Sequence, residues 1–212
     1  MTQNISQSID ETNLIRNDKV TISGLVVSAG LSSRMEKFKP LLQYEGKTFL
    51  HSIISKLDSI CDEIVVVTGH NRDSIETELN LLQNKNEIKT VFNENYKDGM
   101  FTSLQKGLEN IKGNDWVLYH FIDQPTLPNI FYNDFISQID NKFDWIQPKY
   151  HGKNGHPILL NNKTINLILE APCSSKLKEI SQNSNISKKY WDCIYSEIHD
   201  DIDTIELYNN LL

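Results

Sequence analysis

The chain has 212 residues and a formal net charge of −7. That is long enough for one domain with a sizeable core and too acidic for a nucleic-acid coat or a membrane-surface binder. Its 39% hydrophobic and 23% charged residues are those of an ordinary globular protein. No run of about twenty apolar residues is present to cross a membrane, and the polar opening stretch lacks the apolar centre of a secretory signal. Cys61, Cys173 and Cys193 make neither a disulfide framework nor a zinc knuckle, so a cytoplasmic protein with reduced thiols is expected.

Residues 1–19, rich in Asn, Gln, Ser and Asp, read as a flexible lead-in to one domain over 20–212. From Ser23 onward, apolar strand-like runs alternate with helical patterns. Strands are predicted at 24–28, 63–69, 88–93, 116–122, 145–150, 156–160 and 194–198. Helices are predicted at 49–57, 72–82, 101–110, 130–139, 163–169, 175–181 and 205–212. This alternation predicts an α/β fold with a mostly parallel central sheet and helices on both faces. Such sheets bind ligands beyond the carboxyl ends of their strands, near a switch in strand order, so the residues that follow each strand are the first candidates.

After the first strand comes Ser28-Ala-Gly-Leu-Ser-Ser-Arg34. Ala29, Gly30, Ser32 and Ser33 leave backbone N–H groups open to phosphate oxygens. The bland alternative is a strand-to-helix turn that needs Gly30 for its backbone angles. Arg34, a planar fork, and Lys39, a point charge, flank this bare loop and make it read as a triphosphate cradle. Lys37 is expected to be a solvated surface lysine. Asp123 ends the apolar run WVLYHFI, where a carboxylate is costly without a cation. It is therefore read as a Mg²⁺ ligand rather than a helix N-cap, since Pro125 and Pro128 delay the next helix. In the tail, Asp203 is either a second metal carboxylate or the N-cap of the last helix, and Thr204 competes for the cap. His156, in Gly155-His-Pro157, is read as a structural histidine or a group near an acceptor substrate.

The stretch VSAGLSSRMEKFKPLL (27–42) resembles the signature loop of the MobA-like nucleotidyltransferases. The resemblance continues in order through VVVTGH (65–70), VFNENYKDGMFTSLQKGL (91–108), FIDQP (121–125), NGHPILL (154–160) and DIDT (201–204). Within that family the Ala29-Gly30 pair and the GHP element are most similar to the molybdenum-cofactor cytidylyltransferases. The resemblance implies a Rossmann-like fold of the nucleotide-diphospho-sugar transferase kind, with Mg²⁺ on Asp123 and Asp203. It implies transfer of CMP from CTP to a molybdopterin-type acceptor, with a molybdoenzyme or its chaperone as a possible downstream partner. Arg34, Lys39 and Asp123 are the implied catalytic residues. Ser28, Ala29, Gly30, Leu31, Ser32, Gly69, Asn93 and Ser103 are the implied nucleotide-binding positions, with His156 toward the acceptor. A guanylyltransferase, an enzyme using another phosphorylated acceptor, and a non-catalytic carrier of nucleotide or cofactor remain as alternatives. Three positions depart from the family pattern: Glu36 replaces a glycine, Ser28 an alanine and Ile205 a proline. Glu36 is expected to point away from the phosphates.

Overall fold

The first apolar run is buried at every position and becomes β1 (Ile22–Ser28), in the middle of the sheet. The computed structural model describes residues 20–31, 35, 37–84, 86–111 and 113–212. The expected lead-in over 1–19 lies outside them. A small hairpin, β2 (Gln43–Tyr44) with β3 (Lys47–Thr48), leads into α1 (Phe49–Leu57). Then follow β4 (Glu63–Thr68), α2 (Arg72–Asn80), β5 (Ile88–Phe92), α3 (Met100–Leu108), β6 (Trp116–Phe121) and α4 (Asn129–Ile136). The second half has β7 (Trp145–Tyr150), β8 (Lys153–Asn154), β9 (Ile158–Asn161), α5 (Asn162–Glu170), α6 (Leu177–Ser181), β10 (Lys188–Asp192) and α7 (Ile205–Leu211).

Among the described residues the central sheet has eight strands, in the order β10-β7-β9-β6-β1-β4-β5, with β8 paired to β7. Parallel pairing joins β1 to β4 and β6, β4 to β5, and β10 to β7. Only β9 and the short β8 run the other way. Their reversal has a plain cause: seven residues link β7 to β9, too few for a parallel crossover. The chain turns instead at His151 and Gly152, both with positive φ. The expected mostly parallel α/β sheet is therefore the observed one.

Period-two alternation gives the sheet its two covered faces. Val26, Ile64 and Val66 pack with α1 residues Leu50, Ile53, Ile54 and Leu57 and with Phe131 and Phe135 of α4. Leu25, Val27, Val65 and Val67 point the other way, onto Phe101, Leu104 and Leu108 of α3 and Ile165 and Ile168 of α5. α3 thereby lies along β1 and β4, with its first turn at their carboxyl ends. Strand order switches at β1, because β4 and β5 follow on one side and β6 on the other. Val27 pairs with Phe121 in register, so the segments after β1 and β6 leave the sheet side by side.

One predicted strand is corrected. Residues 194–198 are not in the sheet; Ser196–His199 is a 3₁₀ turn, and the edge strand is Lys188–Asp192. Ile194 is 84% exposed, and the backbone beyond it is satisfied by loops rather than by a strand. The His156 N–H donates to the Ile198 carbonyl at 3.2 Å, and the Ile202 N–H donates to the Asp123 carbonyl at 3.0 Å. Gly155 makes this crossing possible, since a β-carbon there would lie 2.6 Å from Ile198. The tail is thus drawn back across the sheet toward β6. Among the described residues no helix is long and apolar enough to cross a membrane.

Candidate active site

At the carboxyl end of β1, Ser28 and Ala29 are buried while Gly30 and Leu31 are exposed. The Ala29 carbonyl accepts the His70 N–H at 3.3 Å. A β-carbon on Gly69 would lie 2.7 Å from that same carbonyl oxygen and 2.7 Å from Tyr96. Gly69 is therefore a spacer that lets the β1 loop, the β4 end and Tyr96 close on one another. It lies behind the loop and is absent from the lining of the cleft. Ser32, Ser33, Arg34 and Glu36 lie outside the described residues; Lys37 is exposed.

The charged centre is built from three distant segments. Lys39 sits in a 3₁₀ turn (Lys39–Leu41) and is 8% exposed. Its Nζ lies 3.4 Å from Asp123 Oδ2 and 2.5 Å from Asp203 Oδ1. Asp203 reaches it because Thr204, not Asp203, caps α7: the Thr204 hydroxyl accepts the Leu207 N–H at 3.3 Å. The fully buried Gln124 stitches tail to β6 loop, its Nε2 donating to the Ile198 carbonyl at 3.0 Å and to Asp201 Oδ1 at 2.9 Å. Thr126 Oγ1 donates to Asp200 at 3.0 Å.

Burial, reinforced by Asp203 and opposed by Lys39, holds the Asp123 carboxyl above the usual range. Burial together with Asp123 and Asp203 pushes Asp201 up to about 6. Burial brings His156 down to about 4, so its imidazole is neutral near pH 7. The ring lies 4.2 Å from that of Phe121, centroid to centroid.

These groups line one cleft of about 420 Å³, to which Tyr96, Met100 and Ser103 contribute from the other side. Three polar atoms on this lining, Ser28 Oγ, Asp123 Oδ1 and His156 Nδ1, are buried without a hydrogen-bond partner among the described residues. Native proteins satisfy such atoms, and three at one cleft mark a place built for a polar ligand. Among the described residues no group of three or more His, Cys, Asp or Glu is poised to hold a metal. Asp123 and Asp203 nevertheless fit a hard cation that takes its remaining oxygens from phosphates. They already converge on one positive charge, and Asp123 keeps an unused oxygen.

Of the expected nucleotide-binding residues, Ser28, Ala29, Gly30 and Ser103 line the cleft together with Lys39, Asp123, Asp203 and His156. Leu31 is exposed beside it. Asn93 is engaged elsewhere. It is buried, its Nδ2 donates to Thr102 and Ser103 hydroxyls at 3.0 and 2.9 Å, and its Oδ1 accepts the Asn95 N–H at 3.0 Å. Its place is behind Ser103, fixing that hydroxyl. Asp201, Tyr96 and Met100 were not anticipated. Asp201 carries a readable signal, because in Asp201-Ile-Asp203 the buried Ile202 faces inward and the two carboxylates flank it.

Residues 24–188 match the model of the MobA-like NTP transferase domain. The chain is 28% identical over 159 residues to a molybdenum cofactor cytidylyltransferase of Escherichia coli K12, covering 74% of this chain and 79% of that one. It is 27% identical over 139 residues to a probable molybdenum cofactor guanylyltransferase of Bacillus cereus AH187, covering 65% and 66%. A nucleotidyl transferase structure from Methanothermobacter thermautotroptrophicus superposes with a TM-score of 0.76 at 19% identity, over 90% of this chain and 95% of that one. The loop after β1, Lys39, Asp123 and His156 thus sit within the matched segment, with Asp201 and Asp203 in the tail that follows it, and the chain belongs to the MobA-like NTP transferase family.

Proposed function

We propose that this enzyme moves CMP from CTP to the terminal phosphate of a molybdopterin-type acceptor. The observation that carries the proposal is Lys39 held between Asp123 and Asp203 beside the open backbone of Ala29 and Gly30. An acceptor phosphate oxygen attacks the α-phosphorus of CTP; the bond from that phosphorus to the β-bridging oxygen breaks, and pyrophosphate leaves. The nucleophile is already an anion, so no general base is needed, and catalysis is alignment plus charge neutralisation.

Each residue has a task within that scheme. The backbone amides of the loop after Ser28, with Arg34, hold the β- and γ-phosphates. Lys39 neutralises charge growing at the α-phosphate and the leaving oxygen. Asp123 and Asp203 would hold Mg²⁺, which when bound supplies further positive charge to the phosphates. Neutral His156, with its buried Nδ1 unpartnered, offers a directional hydrogen bond to the acceptor rather than a charge. Ser103, whose hydroxyl accepts from Asn93, and Ser28 would contact ribose or base.

Preference for CTP rests on Ala29. It is buried at 2% exposure where the loop meets the cleft, and its methyl leaves less room than a glycine for a purine. Calorimetry of CTP against GTP with Mg²⁺ tests this; equal or tighter GTP binding refutes it and favours a guanylyltransferase. Pyrophosphate release with CTP, Mg²⁺ and acceptor separates an enzyme from a nucleotide or cofactor carrier. For a carrier, nucleotide binds and no pyrophosphate appears.

A further inference from the structure

A second slot of about 280 Å³ opens beside the cleft and shares Met100 with it. Phe101 and Leu104 of α3 form one wall, and Tyr119 of β6 forms the floor. Cys173 and Ser175, in the segment between α5 and α6, and Leu177, which opens α6, form the other wall. That wall is fixed in place: Gln105 Nε2 of α3 donates to the carbonyls of Ile168 and Ala171 at 2.9 and 2.8 Å. The interior is apolar and the mouth is polar, which suits a flat ring with hydrogen-bonding edges. The volume lies at the lower end for small-ligand pockets, room for a ring system rather than a whole nucleotide.

Tyr119 makes the slot more than an apolar gap. The residue is 1% exposed and lines the slot, so it adds a hydroxyl to otherwise apolar surroundings. Burial raises its pKa, so the phenol stays protonated and can donate. The slot is also continuous with the reaction centre. Tyr119 and Phe121 point to the same side of β6 with ring centroids 4.9 Å apart, and Phe121 in turn meets His156. A ligand with its phosphate near Asp123 and Lys39 can lay a ring along this aromatic row.

We infer that the slot between α3 and the α5–α6 segment seats the fused heterocycle of the acceptor, with Tyr119 donating to a ring nitrogen or carbonyl. The inference rests on the nucleotidyl-transfer reading for its choice of occupant. Its test does not depend on turnover, because the slot contains its own reporter. Cys173 is an exposed thiol at the mouth, whereas Cys61 is buried and Cys193 is half-buried and bonded to the Tyr195 carbonyl.

The experiment uses the full chain carrying Cys193→Ser, free 6-hydroxymethylpterin as probe, and maleimide labelling of Cys173. With probe at about ten times its Kd, mass action leaves roughly one slot in ten open, so labelling should slow about tenfold. Ser175→Trp, which fills the slot from a half-buried position on its wall, should abolish probe binding by calorimetry and leave CTP binding unchanged. Tyr119→Phe keeps the packing and removes the donor, and should weaken the probe roughly fivefold. No probe binding, binding without protection of Cys173, or binding indifferent to Ser175→Trp overturns the inference. If pyrophosphate is released with acceptor while the slot stays unprotected, the slot falls and the transfer reading stands. If the probe protects Cys173 but no nucleotide supports transfer, the reverse holds.

Discussion

Replacing Lys39 with methionine keeps most of the side-chain volume and removes one charge from between two carboxylates. At 3.4 Å and an effective dielectric of 20, the attraction to Asp123 alone is about 5 kcal/mol before desolvation is counted. Breaking a buried pair by removing one partner costs about 3–5 kcal/mol. Here the Asp123 and Asp203 side chains keep 21% and 29% of their exposure, so water screens part of the loss. A net destabilisation of about 2–3 kcal/mol is expected near pH 7.5 without metal. For a chain of this length that lowers Tm by about 4–12 °C. Two further conditions identify the cause. Lowering the pH to 5 protonates most of Asp201, whose pKa is pushed up to about 6, and favours the neutral form of Asp123, whose pKa is raised by burial, so the deficit should shrink. Adding Mg²⁺ should stabilise Lys39→Met more than the natural chain, because the ion no longer competes with an ammonium for the same oxygens. Thermal scans at both pH values, with EDTA and with Mg²⁺, measure all of this. An unchanged Tm, or an equal deficit at both pH values, would show that Lys39 contributes packing and not charge, and would refute the reasoning.

Asp123→Asn should lower metal-dependent turnover at least about a hundredfold while Tm holds or rises, since a neutral amide is cheaper to bury; turnover at the natural rate would sink the metal assignment. Gly69→Ala forces a methyl to within 2.7 Å of the Ala29 carbonyl, so nucleotide affinity measured by calorimetry should fall at least about tenfold; unchanged affinity would separate the loop from nucleotide binding. Asp201 has a folded pKa of about 6, above its ordinary value, so the native state holds more protons than the unfolded chain between about pH 4 and 6. Metal-free stability should therefore fall as pH rises through that window, by about 1 kcal/mol once the exposure of the residue is discounted. Asp201→Asn should flatten the Tm profile, and a profile that stays as steep assigns the titration elsewhere.

The parallel core was legible because buried strands announce themselves. ISGLVVS, EIVVVT and WVLYHF are short, apolar and bounded by turns, and helix α1 was placed to the residue by the periodicity of FLHSIISKL. The edge of the sheet was less readable. KKYWD forms a strand although it carries two lysines and an aspartate, because one side of an edge strand faces water. IYSEI has the composition of a strand but is drawn out of the sheet by Gln124 and His156, partners far away in sequence. Strand-end chemistry pointed directly to Lys39, Asp123 and Asp203. Asn93 and Gly69 differ, since their work is to hold Ser103 and Ala29, and such support depends on contacts that a linear pattern does not display. Asp201 is legible only by its spacing, two residues before Asp203 with the buried Ile202 between them.

The bond between Lys39 and Asp203 joins positions 164 residues apart. Closing so long a loop carries an entropic cost that no local contact near either residue offsets. The β1–β4–β5 and β6 pairings can form earlier on a growing chain, and they suffice to raise the loop after Ser28 and to place Asp123. The second carboxylate arrives only when residues 198–203 have emerged and crossed back over β6. On a growing chain Asp123 can therefore be in place before Asp203, with half of the acidic pair present. A ribosome-stalled chain ending before Ile198 would have the parallel sheet without the complete charged centre. Completion of that centre is then a late event in the life of each molecule.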